Sequence, residues 1–323
     1  MTNRSASSSG AVDADESSDG TGTPHLARIT RYPIKSLDPV SAESVRLDDG
    51  PGAVAGDREY AIVDADGEFV NGKRTAAVHR LRASFDAARR TVTFREVSAD
   101  ADEGVDADDG REPDEGVDAD DGRDADNAKG SLDVAKFVLD SESGRADAAA
   151  WLSDYFGYEV RLRRRDPGGF PDDTALPGPT VISTATLREV ADWFDLDLQE
   201  TRLRFRANLE IGGVPPFWED RLVADHWNVV RFRIGETPLH GVNPCQRCVV
   251  PSRDPSTGEE LAGFRETFVE KRRETLPEWT DSDRFDHYFR VMVNTAVPSG
   301  ERGSRLTVGD PVVVDGVRPE SDS

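Results

Sequence analysis

Both cysteines of the 323-residue chain fall in one short run, Asn243-Pro244-Cys245-Gln246-Arg247-Cys248-Val249-Val250-Pro251. Thiolates suit soft metals, whereas the carboxylates abundant elsewhere in the chain suit hard ones. A guanidinium such as that of Arg247 favours the charged form of a neighbouring thiol. The spacing leaves open a soft-metal ligand, a redox pair, a zinc half-site or two small buried side chains. For zinc, His240 adds a third ligand and His226 is the nearest fourth, against the four that a structural site normally has. A thioredoxin-type pair opens a helix inside a βαβ unit. Here the pattern predicts a short strand, Cys248–Val250, stopped by Pro251.

Sixty-three acidic residues against 40 basic ones give a formal charge of −23 and a pI near 4.6. Nucleic-acid binding needs a basic face, so that class is not expected. The balance matches a halophilic protein, in which carboxylates keep the surface hydrated and salt screens their repulsion. No apolar run approaches the ~18–20 residues of a membrane helix. The polar start, Met1 to Thr23, lacks the basic and apolar regions of a signal peptide. Two cysteines make no disulfide framework. The sequence therefore predicts a cytoplasmic protein with neither membrane nor nucleic acid among its partners.

The elements that must position the cysteine run are mostly strands. Ala27–Tyr32, Glu59–Val63, Thr91–Arg95 and Tyr158–Arg164 carry β-branched or alternating patterns, and Asp64-Ala65-Asp66-Gly67 predicts a hairpin turn. Ala146–Phe156 predicts a helix ending at Gly157. Thr186-Leu187-Arg188-Glu189 reads as a capping box ahead of Val190, Ala191 and Phe194. Leu209–Ile211, Val229–Ile234, Tyr288–Val293 and Val312–Val314 continue the strands, with Trp218 and Trp227 expected in the core or a pocket wall. The ten residues Asp102–Arg111 recur at Asp114–Arg123. They sit in a stretch, 100–129, with fourteen acids and three bases, which predicts a disordered acidic surface insertion. The fold class is α+β, predominantly β, with two β-barrel-like domains and a few helices. No GxGxxG or GxxxxGK[ST] loop occurs.

Five strings stand in a telling order: Tyr32-Pro33-Ile34-Lys35-Ser36, Gly56-Asp57-Arg58, Arg204-Phe205-Arg206-Ala207-Asn208, Cys245-Gln246-Arg247-Cys248 and Val308-Gly309-Asp310-Pro311. In this the chain resembles the MOSC family in its two-part form, over roughly Leu26–Val314. Relatives include the mitochondrial amidoxime-reducing component and the C-terminal part of molybdenum cofactor sulfurase. The resemblance implies an N-terminal β-barrel-like domain at 24–165 and a MOSC domain at 170–317; composition adds an acidic disordered tail at 1–23, a tail at 318–323 and the acidic insertion at 98–130, a departure from the family pattern with no family role. It implies the molybdenum cofactor (Mo-molybdopterin), with Cys248 as metal ligand and catalytic residue and Cys245 packing behind it. Cofactor contacts fall on Lys35, Ser36, Arg58, Thr174, Ser183, Arg206, Asn208, Gln246, Arg247 and Tyr288. Cations there suit a pterin phosphate, arginine as a fork and lysine as a point charge. At family level it also carries an association with pyridoxal phosphate binding. The implied reaction is reduction of a small N-oxygenated substrate, with electrons from a separate donor protein, because the four cysteines of an appended iron–sulfur cluster are missing. The alternative is a non-catalytic cofactor carrier or sulfur-transfer protein.

Overall fold

The computed structural model describes residues 22–48, 53–97 and 134–319. The acidic tail up to residue 21 and the insertion at 98–130 lie outside the described residues. One eight-stranded sheet runs in the order Val312–Pro319, Asn228–Ile234, Thr237–Gln246, Arg290–Ala296, Thr180–Ser183, Leu209–Gly212, His25–Arg31, Val40–Ala42. A three-stranded sheet joins Leu81–Asp86, Thr91–Glu96 and Ala135–Val138, and two-stranded sheets pair Tyr60–Asp64 with Val160–Arg164 and Ser44–Arg46 with Arg305–Thr307. The protein is thus predominantly β with five α-helices among the described residues, but the sheets are open and do not close into barrels.

The first strand belongs to the large sheet: Ile29 pairs with Leu209, while Val181 pairs with both Leu209 and Val293. One core accordingly mixes Leu26, Ile29, Val45 and Leu47 from the start of the chain with Val181, Leu209, Phe232 and Val293. A second core, Tyr60, Ile62, Val92, Phe94, Leu152 and their neighbours, lies under the helix Glu142–Phe156. That helix is capped by Ser141 and stops at Gly157, whose φ of 76° only glycine adopts cheaply. The third core is aromatic. Phe264 and Phe268, one turn apart on the helix Phe264–Glu274, meet Phe289, Phe205 and Trp193. Burying each such ring stabilises by about 1.5–3 kcal/mol, and this cluster backs the cysteine run through Cys245.

Several sequence expectations are corrected. The capping box sits one turn too late: Ser183 caps the helix Thr184–Phe194 by accepting from the Thr186 amide, and Glu189 accepts from the Trp193 indole instead. Cys248–Val250 is no strand, because Thr237–Gln246 ends before it and Val250–Ser252 forms a 3-10 turn. Pro251, with fixed φ and no amide hydrogen, suits the start of such a turn. The final strand runs on to Pro319, opposite Asn228, so part of the expected tail is ladder. Trp218 is core, but Trp227 is 81 % exposed on the turn before Asn228–Ile234.

Candidate functional site

A cavity of about 570 Å³ opens between the second and third cores, lined by Leu37, Val78 and Leu81 of one and Phe205 and Met292 of the other, the size of pockets that hold small ligands. Its walls come from the loop after the first strand, the 57–58 and 71–82 segments, residues 171–180, the turn Leu203–Asn208, the end of Thr237–Gln246 with the cysteine run, and Arg290–Asn294. Of the sequence candidates, Ser36, Arg58, Thr174, Arg206, Asn208, Gln246, Arg247 and Cys248 line it. Lys35, Ser183 and Tyr288 do not.

Tyr32 is the platform of the cationic wall. Arg206 stacks 4.0 Å from its ring centre and Arg58 5.0 Å from it, contacts worth about 1–2 kcal/mol each when desolvated. Burial pushes the Tyr32 pKa up to about 12 against the pull of the two guanidiniums, so the phenol stays neutral and donates to the Ala207 carbonyl at 3.3 Å. Arg206 caps the helix Leu198–Phe205 in the left-handed region and donates to the Leu37 carbonyl at 2.8 Å. Burial lowers its pKa, although an arginine remains charged.

Arg58 is ion-paired with Asp57 and, at 3.2 Å, with Asp172. Lys35 is bonded to the same Asp172 and to the Phe170 carbonyl at 3.0 Å, beneath the wall rather than on it. Burial lowers the Lys35 pKa and Asp172 offsets this. Arg58 and Lys35 hold the Asp172 carboxyl, 69 % exposed, well below the usual range. Asp172 is the residue that sequence reasoning missed; nothing in the spacing announces a carboxylate that arrives from far along the chain.

Four of the cavity residues are held at positive φ without being glycine: Ser36 (73°), Arg58 (48°), Arg206 (58°) and Met292 (71°). Such backbone costs about 1–3 kcal/mol per residue and persists where surrounding structure over-determines it, characteristically at functional sites.

The cysteine run divides its labour. Cys245 packs on the aromatic core, and Arg247 donates to its sulfur at 3.3 Å and to the Phe205 carbonyl at 3.0 Å. Arg247 thus serves Cys245, not Cys248. Both thiols are free and half-buried. Among the described residues no group of three His, Cys, Asp or Glu side chains is placed to hold a metal, so the zinc reading with His226 and His240 finds no site. His240 instead lies buried in the large sheet, paired with Arg231 and Ala296.

The remaining candidates are structural in their contacts. Asn208 bridges strands, donating to the Thr30 carbonyl at 3.1 Å and accepting from Thr180. Ser183 is fully buried and donates no atom to the cavity. Tyr288 is half-buried under the Arg273 guanidinium, 5.0 Å from its ring centre. Thr174 and Gln246 are exposed at the cavity rim. No helix among the described residues is long and apolar enough to cross a membrane.

Two family profiles match, the MOSC N-terminal beta barrel domain over residues 23–159 and the MOSC domain over residues 179–313. The chain is 23 % identical over 307 residues to a molybdenum cofactor sulfurase of Drosophila mojavensis, covering 90 % of this chain and 35 % of the relative. It is 22 % identical over 299 residues to that of Drosophila grimshawi, covering 90 % of this chain and 34 % of the relative. Against the Caenorhabditis briggsae sulfurase it is 34 % identical over 80 residues, 25 % of this chain and 10 % of the relative. The chain therefore spans about a third of the length of its Drosophila relatives. With both profiles matched in order along most of its length, the chain belongs to the MOSC-domain family, in the two-part form that carries the N-terminal β-barrel domain.

Proposed function

We propose that this protein holds the molybdenum cofactor in the cavity and uses it to reduce N-hydroxylated small molecules. The observation that carries the reading is the meeting of Cys248, Arg58 and Arg206 on one cavity wall from three distant parts of the sequence. The residues present fit the group. The cavity is large enough, and of its two half-buried thiols Cys245 is engaged by Arg247, which leaves Cys248, without further protein ligands, for a soft metal whose other sulfurs belong to the pterin. Arg58 and Arg206, backed by Lys35, would hold the terminal phosphate, and the Cys248 thiolate would bind the metal. Bound there, the cofactor supplies two-electron oxygen-atom transfer.

The chain's own part is to fix and shield. Tyr32 keeps both guanidiniums aimed, while Asp172 favours the charged form of Lys35 and holds Arg58 in place. Overall, a hydroxylamine takes up two electrons and two protons and leaves as an amine and water, the electrons coming from a separate protein. The test is protein loaded with molybdenum cofactor, given a chemical reductant and benzamidoxime: catalytic formation of benzamidine supports the reading. The names of the relatives favour a second one, a carrier or sulfur-transfer role in cofactor maturation. Transfer of cofactor to an acceptor apoenzyme with no N–O reduction would establish that role instead.

A further inference from the structure

In a chain of net charge −23, the cavity is lined by eight Arg or Lys side chains against four Asp and no Glu. Arg58, Arg82, Arg204 and Arg290 have carboxylate partners in Asp57, Asp38, Glu200 and Asp286. Arg206 and Arg247 are held on Tyr32 and on the Phe205 carbonyl, as described. Lys73 and Arg253 remain, and among the described residues neither has a carboxylate within 4.0 Å.

These two come from loops other than those that carry Arg58 and Arg206. Arg253 donates to the Gly258 carbonyl at 3.0 Å, while its Nε is buried with no hydrogen-bond partner. Gly258 packs so closely on Ala76 that an added Cβ would meet the Ala76 Cβ at 2.9 Å. Arg82 fastens the two loops together, donating to the Pro255 carbonyl at 2.7 Å and to the His79 carbonyl. The loop carrying Arg253 is thereby held against the 71–79 segment, which supplies Lys73 and His79 to the same cavity. Burial lowers the His79 pKa, and the guanidiniums of Arg253, Arg206 and Arg82 push it the same way. Asp38, the lining acid beside these loops, is already held by Arg82 at 3.0 Å and by the Ala83 amide, and a concave surface left with cations in excess concentrates anions.

We propose that Arg253 and Lys73 form an anion subsite that recognises a carboxylate or phosphate group on the substrate, built from residues other than those assigned to the cofactor phosphate. The inference rests on the reading of the cavity as a cofactor and substrate site. It adds a substrate class: N-hydroxylated molecules that carry an anionic group. Arginine supplies the planar fork and exposed Lys73 a mobile point charge at the mouth.

The experiment uses cofactor-loaded protein and two substrates, benzamidoxime and 4-carboxybenzamidoxime. Wild type should favour the carboxylated one. Arg253→Gln and Lys73→Gln should each cut its kcat/KM about tenfold more than that of the neutral substrate, through KM, with Arg253→Lys restoring part of the loss. Molybdenum content should be unchanged in all variants. Calorimetric binding of 4-carboxybenzamidine, which cannot turn over, reads the subsite without the chemistry. Wild type should bind it and Arg253→Gln should bind it about tenfold more weakly. Binding that survives without any N–O reduction would sink the proposed reaction and leave the subsite standing. Equal losses on both substrates, no binding of the carboxylated amidine, or molybdenum loss in Arg253→Gln would each overturn the subsite.

Discussion

Replacing Glu219 by Gln should make the protein more stable at pH 8 and leave it nearly unchanged at pH 5. Glu219 is fully buried, and its Oε2 accepts from the Ser183 amide and the Thr186 hydroxyl while Oε1 has no partner. Burial, reinforced by the neighbouring Asp220 carboxylate, pushes its pKa from 4.5 up to about 7. The folded state therefore keeps a proton that the unfolded chain has lost between those values. The stability this contributes is full below about 4.5, falls as pH rises through about 7 and is flat above. At 1.36 kcal/mol per pH unit, the wild type forfeits on the order of 3 kcal/mol by pH 8. An amide mimics the protonated acid and escapes that loss. Urea unfolding of both proteins at pH 5 and pH 8, at fixed salt, separates the Glu219–Asp220 pair from the other titrating groups. A glutamine variant equally destabilised at both pH values would refute the reasoning, because the carboxylate would then be a paired and favourable charge.

Ser183→Ala should cost about 1–2 kcal/mol through loss of the helix cap, with cofactor content unchanged, as unfolding curves and metal analysis would reveal. Cys248→Ala should abolish molybdenum retention while Cys245→Ala keeps most of it; equal loss from both would remove Cys248 from its assigned role. Gly169→Ala should destabilise by about 2 kcal/mol or more and weaken cofactor retention, since its Cβ would overlap the Asp57 and Arg58 carbonyls at a φ of 56°. Replacing residues 98–133 with a short turn should leave metal content and turnover intact, because Thr91–Glu96 and Ala135–Val138 are antiparallel neighbours that a tight turn can join. Loss of activity in a folded variant would instead make that segment a docking element for the electron donor.

The site was legible where one residue type meets one chemical demand. A lone cysteine run and cations beside strands stand out in an acidic chain, and they do converge on one cavity. What escaped depended on three dimensions. Asp172 joins Lys35 and Arg58 only after folding, and Tyr32 looks like any strand-end tyrosine until two guanidiniums settle on it. The strained backbone at Ser36, Arg58 and Arg206 is invisible because none is glycine. The helix Leu198–Phe205 did carry a signal, Asp197 followed three residues later by Glu200, the acidic form of a capping pattern. The resemblance gives Ser183 to the cofactor, yet its hydroxyl is taken up by the Thr186 amide and hydroxyl and the Pro215 carbonyl, and its amide by buried Glu219.

The opposition between an acidic chain and a cationic cavity follows from where the charges lie. Residues 98–133 hold fifteen acids and three bases, a net −12 of the chain's −23, whereas the cavity wall runs to cations. Salt screens exposed charges beyond about 8–10 Å at physiological ionic strength, but buried pairs much less. Arg58, with Lys35 behind it, is 7 % exposed, so the proposed hold on the cofactor phosphate should persist at high salt. Lys73 stands exposed at the mouth, so its capture of a substrate anion should weaken as salt rises. Under the proposed function, the same cavity at high salt would therefore hold its cofactor tightly while exchanging its substrate freely, the division of affinities that turnover requires.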